Sequence, residues 1–192
     1  MLYIKHRINT IKDLSTVPYY MGIEVDIRYE NNKLILHHDP FVSGEYLEDL
    51  LKNFKHKFIV LNVKSEGIEE ETLWLMKKYK VKDYFFLDIS FPALIKLSKE
   101  GERNIAVRFS EYEPIEQALA LKGMVNWVWI DCFNKFPLDN KSYNELKPHF
   151  KLCVVSPELQ KHSTDLISDF RKHIKKYQID AVCTKVPDLW EL

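Results

Sequence analysis

Glycine is scarce, with five residues in 192. None builds a GxGxxG or GxxxxGK turn, which an open doubly wound sheet would need in order to bind a nucleotide. Cysteine is scarcer: Cys132, Cys153 and Cys183 are odd in number and far apart. No Cys-x-x-Cys or Cys-x-x-His exists, so the close ligand pair of a structural zinc site is missing. The three read as buried thiols of a reducing compartment, which makes the expected location cytoplasmic. No apolar run reaches membrane-spanning length, and Lys5, His6, Arg7 and Lys12 interrupt the first apolar residues before an export signal can develop. Net charge is absent too, with 28 Lys and Arg against 28 Asp and Glu. General attraction to nucleic acid or anionic lipid is thereby excluded, and any anion recognition has to be local. Repeats, low-complexity tracts and Pro/Gly/Ser-rich linkers are also missing, so residues 1–192 read as one domain.

What is present is a core: 46% of the residues are hydrophobic. A chain of this length buries roughly 70% of its unfolded surface and needs no staple. Short β-branched or aromatic runs alternate with longer amphipathic stretches, the rhythm of βα units. Eight strands are expected: Leu2–Lys5, Gly22–Ile27, Lys57–Val63, Tyr84–Asp88, Asn104–Phe109, Trp127–Asp131, Lys151–Val155 and Asp180–Cys183. Lys33–Leu36, after the Asn31–Asn32 turn, is expected to pair with the second strand as a hairpin. Helices are expected over Tyr46–Phe54, Glu69–Tyr79, Pro92–Lys99, Pro114–Lys122, Ser142–Leu146 and Thr164–Tyr177. The pattern predicts an α/β fold of the (β/α)8 barrel type, short for that class, which usually has about 200 to 400 residues. After the eighth strand too little chain remains for a full final helix, leaving Trp190 to cover it.

On a strand over Gly22–Ile27, Glu24 and Asp26 point to the same side, opposite Ile23, Val25 and Ile27. Two carboxylates directed into a barrel or its mouth require compensation. A hard divalent cation would supply it, and so would ion pairs with Arg28 or Lys64. His6-Arg7 ends the first strand and His37-His38-Asp39-Pro40 follows the hairpin. Barrel enzymes draw their catalytic groups from the carboxyl ends of several strands, and these segments all fall there. Arg108 and Trp129, at later strand ends, are candidates for a ligand wall, Arg108 as anion donor and Trp129 as apolar face. Filling of the barrel interior is the plainer role for Trp127 and Trp129. His56, His149, His162 and His173 are expected to be solvated.

The order His6-Arg7, Glu24-Val25-Asp26, His38-Asp39-Pro40 and Asn62-Val63-Lys64 resembles the glycerophosphodiester phosphodiesterase family, a relative of the phosphatidylinositol-specific phospholipases C. The resemblance covers residues 4–64, and beyond them rests on the βα rhythm. It implies a barrel that binds one divalent cation, Mg²⁺ or Ca²⁺, and cleaves a small phosphodiester of lipid metabolism. In that match His6 and His38 are the acid/base pair, with His38 preferred to His37 because it precedes Asp39-Pro40. Glu24 and Asp26 match metal ligands; independently of the match, Arg7, Arg28 or Lys64 would stabilise a phosphodiester's charge, and Arg7 and Lys64 are taken as substrate-binding cations. Asn62 stands where the third ligand would be, keeping a carbonyl oxygen but losing a charge, so a weaker metal site is expected. Ile8 stands where many relatives have glycine, and the Pro-Glu-Asn-Thr segment of the family is absent.

The chemistry agrees with the residue types. Histidine titrates near neutrality, so two imidazoles can exchange protons with the attacking and leaving oxygens. The attacking group is water or a neighbouring substrate hydroxyl, while the cations offset charge growing on phosphorus. Two other readings use the same residues. One is a catalytically silent barrel that holds a phosphate or sugar ligand. The other is a zinc hydrolase in which His6 and His38 are ligands.

Overall fold

A run such as Phe58–Val63, almost wholly apolar, belongs in a parallel sheet covered on both faces. The computed structural model, which describes residues 1–191, places it there. The chain opens with β1 (Leu2–Lys5), a one-turn helix α1 (Ile11–Leu14) and β2 (Gly22–Glu30). Two short strands, β3 (Lys33–Leu36) and β4 (Glu45–Tyr46), precede α2 (Leu47–Asn53). Strand–helix units then follow: β5 (Phe58–Val63) with α3 (Glu69–Lys78), and β6 (Tyr84–Leu87) with α4 (Phe91–Lys99). After these come β7 (Ala106–Phe109) with α5 (Ile115–Ala120), and β8 (Trp127–Ile130) with α6 (Asn140–Leu146). The described chain finishes with β9 (Lys151–Val155), α7 (Leu166–Ile174) and β10 (Ala181–Thr184). No described helix is long and apolar enough to cross a membrane.

Around the barrel the parallel order is β1, β2, β5, β6, β7, β8, β9, β10 and back to β1. One junction is thin. Between β6 and β7 the strands share a single bridge, Phe86 with Ile105, and a hydrogen bond from the Phe86 N–H to the Asn104 carbonyl. β2 runs past the barrel and turns its last four residues to β3, Ile27 opposite Leu36 and Glu30 opposite Lys33. The hairpin was legible in the turn residues; the two-residue β4 and one-turn α1 are below the length at which periodicity speaks. Thr10 caps α1 by accepting from the Asp13 N–H, and an Asp139–Ser142 capping box starts α6 two residues earlier than expected. Past β10 the described residues form a 3₁₀ turn, Pro187–Leu189, and then buried Trp190, whose indole N–H donates to the Ser156 hydroxyl.

Alternation along the strands sorts side chains into two cores. Ile23, Val25, Ile27, Ile59, Leu61 and Phe86 face the helices. The interior is filled by a separate set that includes Ile4, Val60 and an aromatic group of Phe58, Phe85, Trp127 and Trp129. Phe85 is the hub: its ring centroid lies 5.6 Å from Phe58, 4.9 Å from Trp127 and 6.1 Å from Trp129. The two tryptophans are therefore chiefly filling, as the plainer reading had it. These rings fill the barrel interior, and Trp129 reaches from them to the polar mouth. The three cysteines are buried free thiols. His56 departs from expectation. It is buried, and its Nε2 is 2.9 Å from the Val17 carbonyl, because the turn before β5 packs against the segment after α1.

Truncating the hub should be costly. Phe85→Ala is expected to lower unfolding stability by about 3–5 kcal/mol, measured by urea denaturation, and a loss below about 1 kcal/mol would show that the interior is not packed as described.

Candidate active site

The carboxyl ends of the strands enclose a hollow of about 180 Å³. His6 and Arg7 reach it from β1, Asp26 from β2 and His38 from the segment after β3; Asn62 and Lys64 come from the end of β5. On the far side stand Asp88 after β6, Arg108 on β7, Trp129 and Asp131 at the end of β8, and Gln160 in the turn after β9. Glu24 lies alongside, fully buried. All nine residues singled out in the sequence meet in this region. His37 does not line the hollow; its Nδ1 accepts from the Asp39 N–H instead. A larger groove of about 620 Å³, beside Met1, Tyr177 and Trp190, carries no histidine, carboxylate or cysteine in its lining.

The mouth is a chain of alternating charges. Arg7 Nε is 3.5 Å from Asp26 Oδ2, and Lys64 Nζ lies 3.8 Å from Asp26 Oδ1 and 3.2 Å from Asp88 Oδ2. Arg108 grips Asp88 with both Nε (2.7 Å) and Nη2 (3.0 Å), and its Nη1 contacts Asp131. Asp131 also accepts from the Trp129 indole at 3.1 Å and from Gln160 at 2.7 Å. Burial opposes the ionisation of Asp88, but the Arg108 guanidinium and Lys64 ammonium outweigh it and hold the carboxyl below its usual range. Asp88 and Gln160 were not singled out in the sequence; the one signal was an acid directly after the apolar Tyr84–Leu87 run.

Arg28, weighed above as a salt-bridge partner for the acid pair, acts elsewhere. Its guanidinium donates to the His38 carbonyl (2.7 and 3.1 Å) and to the Lys64 carbonyl (3.0 Å), tying together the two segments that deliver those side chains. Asn9 is another residue that the sequence did not reveal. It donates to Asp26 Oδ2 and accepts from the Asp26 N–H, both at 2.9 Å, so its amide holds the carboxylate from the β1 side. Arg7 and Asp88 are both left-handed, with φ of 58° and 60°. Such strain in non-glycine residues gathers at functional sites. At Arg7 the turn lets the backbone N–H donate to Glu24 Oε2 at 2.7 Å. Ile8 then enters the core, so no glycine is needed there.

The two histidines have different surroundings. His38 is half-exposed, and its Nδ1 is 2.7 Å from Asp39 Oδ1. That bond holds Asp39 below the usual carboxylate range and, with Nδ1 protonated, leaves Nε2 as an acceptor. His6 is mostly buried; its Nδ1 has no partner and its Nε2 lies 3.7 Å from Glu24 Oε2. Burial pushes the His6 imidazole down to about 3, assisted by the charges of Arg7, Lys185, His38 and Lys64. Burial, with Asp26 adding to it, raises the Glu24 carboxyl to about 7. Of this pair, the carboxyl holds the proton at slightly acid pH.

As a cradle for a divalent cation, Glu24, Asp26 and Asn62 do not fit as they stand. The Asn62 amide turns its donor toward Glu24 Oε1, at 2.8 Å, while its carbonyl oxygen is buried without a partner. Glu24 Oε2 accepts from Arg7, and Asp26 is engaged by Asn9 and flanked by two cations. Among the described residues no three His, Cys, Asp or Glu side chains converge as ligands.

No protein-family model matches the chain, and no curated protein is similar to it in sequence. The barrel itself is a known one. A glycerophosphodiester phosphodiesterase from Agrobacterium tumefaciens superposes with a TM-score of 0.73 at 14% identity, over 100% of both chains. A glycerophosphoryl diester phosphodiesterase from Parabacteroides distasonis gives 0.66 at 11% identity, covering 99% of this chain and 86% of the other. A tryptophan synthase α-subunit mutant from Pyrococcus furiosus gives 0.61 at 14%, covering 95% and 86%. The chain therefore has the TIM-barrel fold of the glycerophosphodiester phosphodiesterase structures, and the resemblance read from its motifs holds at the level of the fold.

The Glu24 environment predicts a pH signature. A carboxyl raised from 4.5 to about 7 contributes stability that is fully present below 4.5 and lost as the pH climbs through 7. Glu24→Gln removes that loss. Its stability relative to wild type, from urea titrations in chelator, should improve on the order of 2 kcal/mol between pH 5 and pH 8, and a pH-independent difference would contradict the assignment.

Proposed function

We propose that the hollow binds a small phosphodiester and that the chain hydrolyses it, with His6 and His38 moving the protons. The observation that carries this reading is the meeting of two imidazoles, from separate strands, with Arg7, Lys64 and Arg108 around one hollow. The phosphoryl oxygens take up the guanidinium and ammonium donors, which offset charge that grows toward the transition state. His38, oriented by Asp39, accepts at Nε2 a proton from the attacking water as the new oxygen–phosphorus bond forms. On the other side the phosphorus–oxygen bond to the alcohol breaks, and the departing alkoxide takes a proton from His6. An empty site keeps His6 neutral. An anion beside it raises its basicity, and the Glu24 carboxyl 3.7 Å away is the nearest store of a proton.

A barrel that holds the anion without turnover is the second reading, favoured by Asn62 in place of an acid and by cations already paired with carboxylates. It predicts stabilisation by ligand with no product formed.

Hydrolysis of bis(p-nitrophenyl) phosphate and of glycerophosphodiesters tests both readings. His6→Ala and His38→Ala are each expected to reduce kcat by about 10²- to 10⁴-fold. Wild-type turnover that His38→Ala leaves intact would refute the assigned role, and binding with no turnover in the wild type would favour the silent barrel.

A further inference from the structure

A divalent ion at a barrel mouth serves two purposes: it neutralises buried carboxylates, and it draws charge off the substrate phosphate. Both are already met here by side chains. Asp26 lies between Arg7 and Lys64, Asp88 between Lys64 and Arg108, and Asp131 is held by Arg108. Three carboxylates thus alternate with three fixed cations. The remaining acid, Glu24, accepts hydrogen bonds on both oxygens, from Asn62 and from the Arg7 backbone. The third position of the expected ligand set presents an N–H to Glu24, where a metal site needs an oxygen directed at the ion. Lys64 in particular stands within 4 Å of the carboxylates of both Asp26 and Asp88, the place from which an ion would act on them.

We propose that this pocket binds its phosphate without a divalent cation, the Lys64 ammonium with Arg7 supplying the positive charge that a metal would bring. The inference rests on the phosphate-binding reading above. An arriving phosphate oxygen shares Lys64 with Asp26 and Asp88 and Arg7 with Asp26, so the cations are held in place beforehand and little rearrangement is needed. Asn62 is the specificity-determining residue of this arrangement. Its amide occupies the Glu24 oxygen that a third carboxylate would leave free for an ion.

Full-length protein dialysed against EDTA is titrated calorimetrically with inorganic phosphate, and separately with MgCl₂, CaCl₂ and MnCl₂, with melting followed in parallel against an NaCl control. In the wild type, phosphate affinity is expected to be the same within twofold with or without the ions. The metal salts should give no saturable isotherm and no rise in Tm above the control. Lys64→Met should weaken phosphate at least tenfold, while Asn62→Glu should acquire a saturable metal isotherm with a Tm rise of about 5 °C or more. A saturable metal isotherm in the wild type that Asp26→Asn abolishes overturns the proposal, as does phosphate binding that appears only when an ion is present. If Asn62→Glu fails to fold, the wild-type and Lys64→Met titrations decide the matter alone. Absence of phosphate binding under every condition removes the phosphate reading itself, and this inference with it, whereas ion-dependent binding removes only this inference.

Discussion

Everything at the mouth of this barrel follows from the cost of burying carboxylates. Glu24, Asp26 and Asp131 are almost completely withdrawn from solvent, where an uncompensated charge is prohibitive. The structure answers with three kinds of compensation. Fixed cations flank Asp26, Asp88 and Asp131; amide donors from Asn9, Asn62 and Gln160 supply hydrogen bonds; and Glu24 retains its proton to about neutrality. The compensating groups come from several strand ends: Arg7 and Asn9 after β1, Asn62 and Lys64 at the end of β5, Arg108 on β7 and Gln160 after β9. The electrostatics therefore tie the strand ends to one another.

The polar mouth is possible because the rest of the interior is so apolar. Phe85 and the three aromatic rings around it, Phe58, Trp127 and Trp129, fill the barrel interior. A low-dielectric interior strengthens the ion pairs beside it. It also explains why the imidazole of His6 and the carboxyl of Glu24 move in opposite directions: each is driven toward its uncharged form by the same surroundings. His38 stands on the solvent side, its Nδ1 2.7 Å from Asp39 Oδ1.

The eight barrel strands could be read from the chain because most are short apolar runs buried on two faces, and the (β/α)8 order followed from their alternation with amphipathic stretches. Elements of one turn or two residues, α1 and β4, carry too few positions for a period to show. At the site, the histidines and the acid pair were visible because spacing on one strand fixes which side chains share a face. Asn9, Asp88 and Gln160 were not visible as partners. Their contacts join residues 17 to 29 positions apart or more, and no local pattern encodes which strand-end acid meets which base. Burial of His56 escaped notice for the same reason, since a polar neighbourhood in sequence became an enclosed one in space.

The thin junction between β6 and β7 takes on a meaning when set beside the charge chain. Those two strands share one bridge, yet Asp88 continues the first and Arg108 belongs to the second, and their two-pronged ion pair spans the gap. The guanidinium thus acts as a clasp on the weakest stave of the barrel while also facing the hollow. Arg108 therefore cannot be removed from the lining of the hollow without also unfastening the wall at its thinnest seam, so both depend on a single side chain.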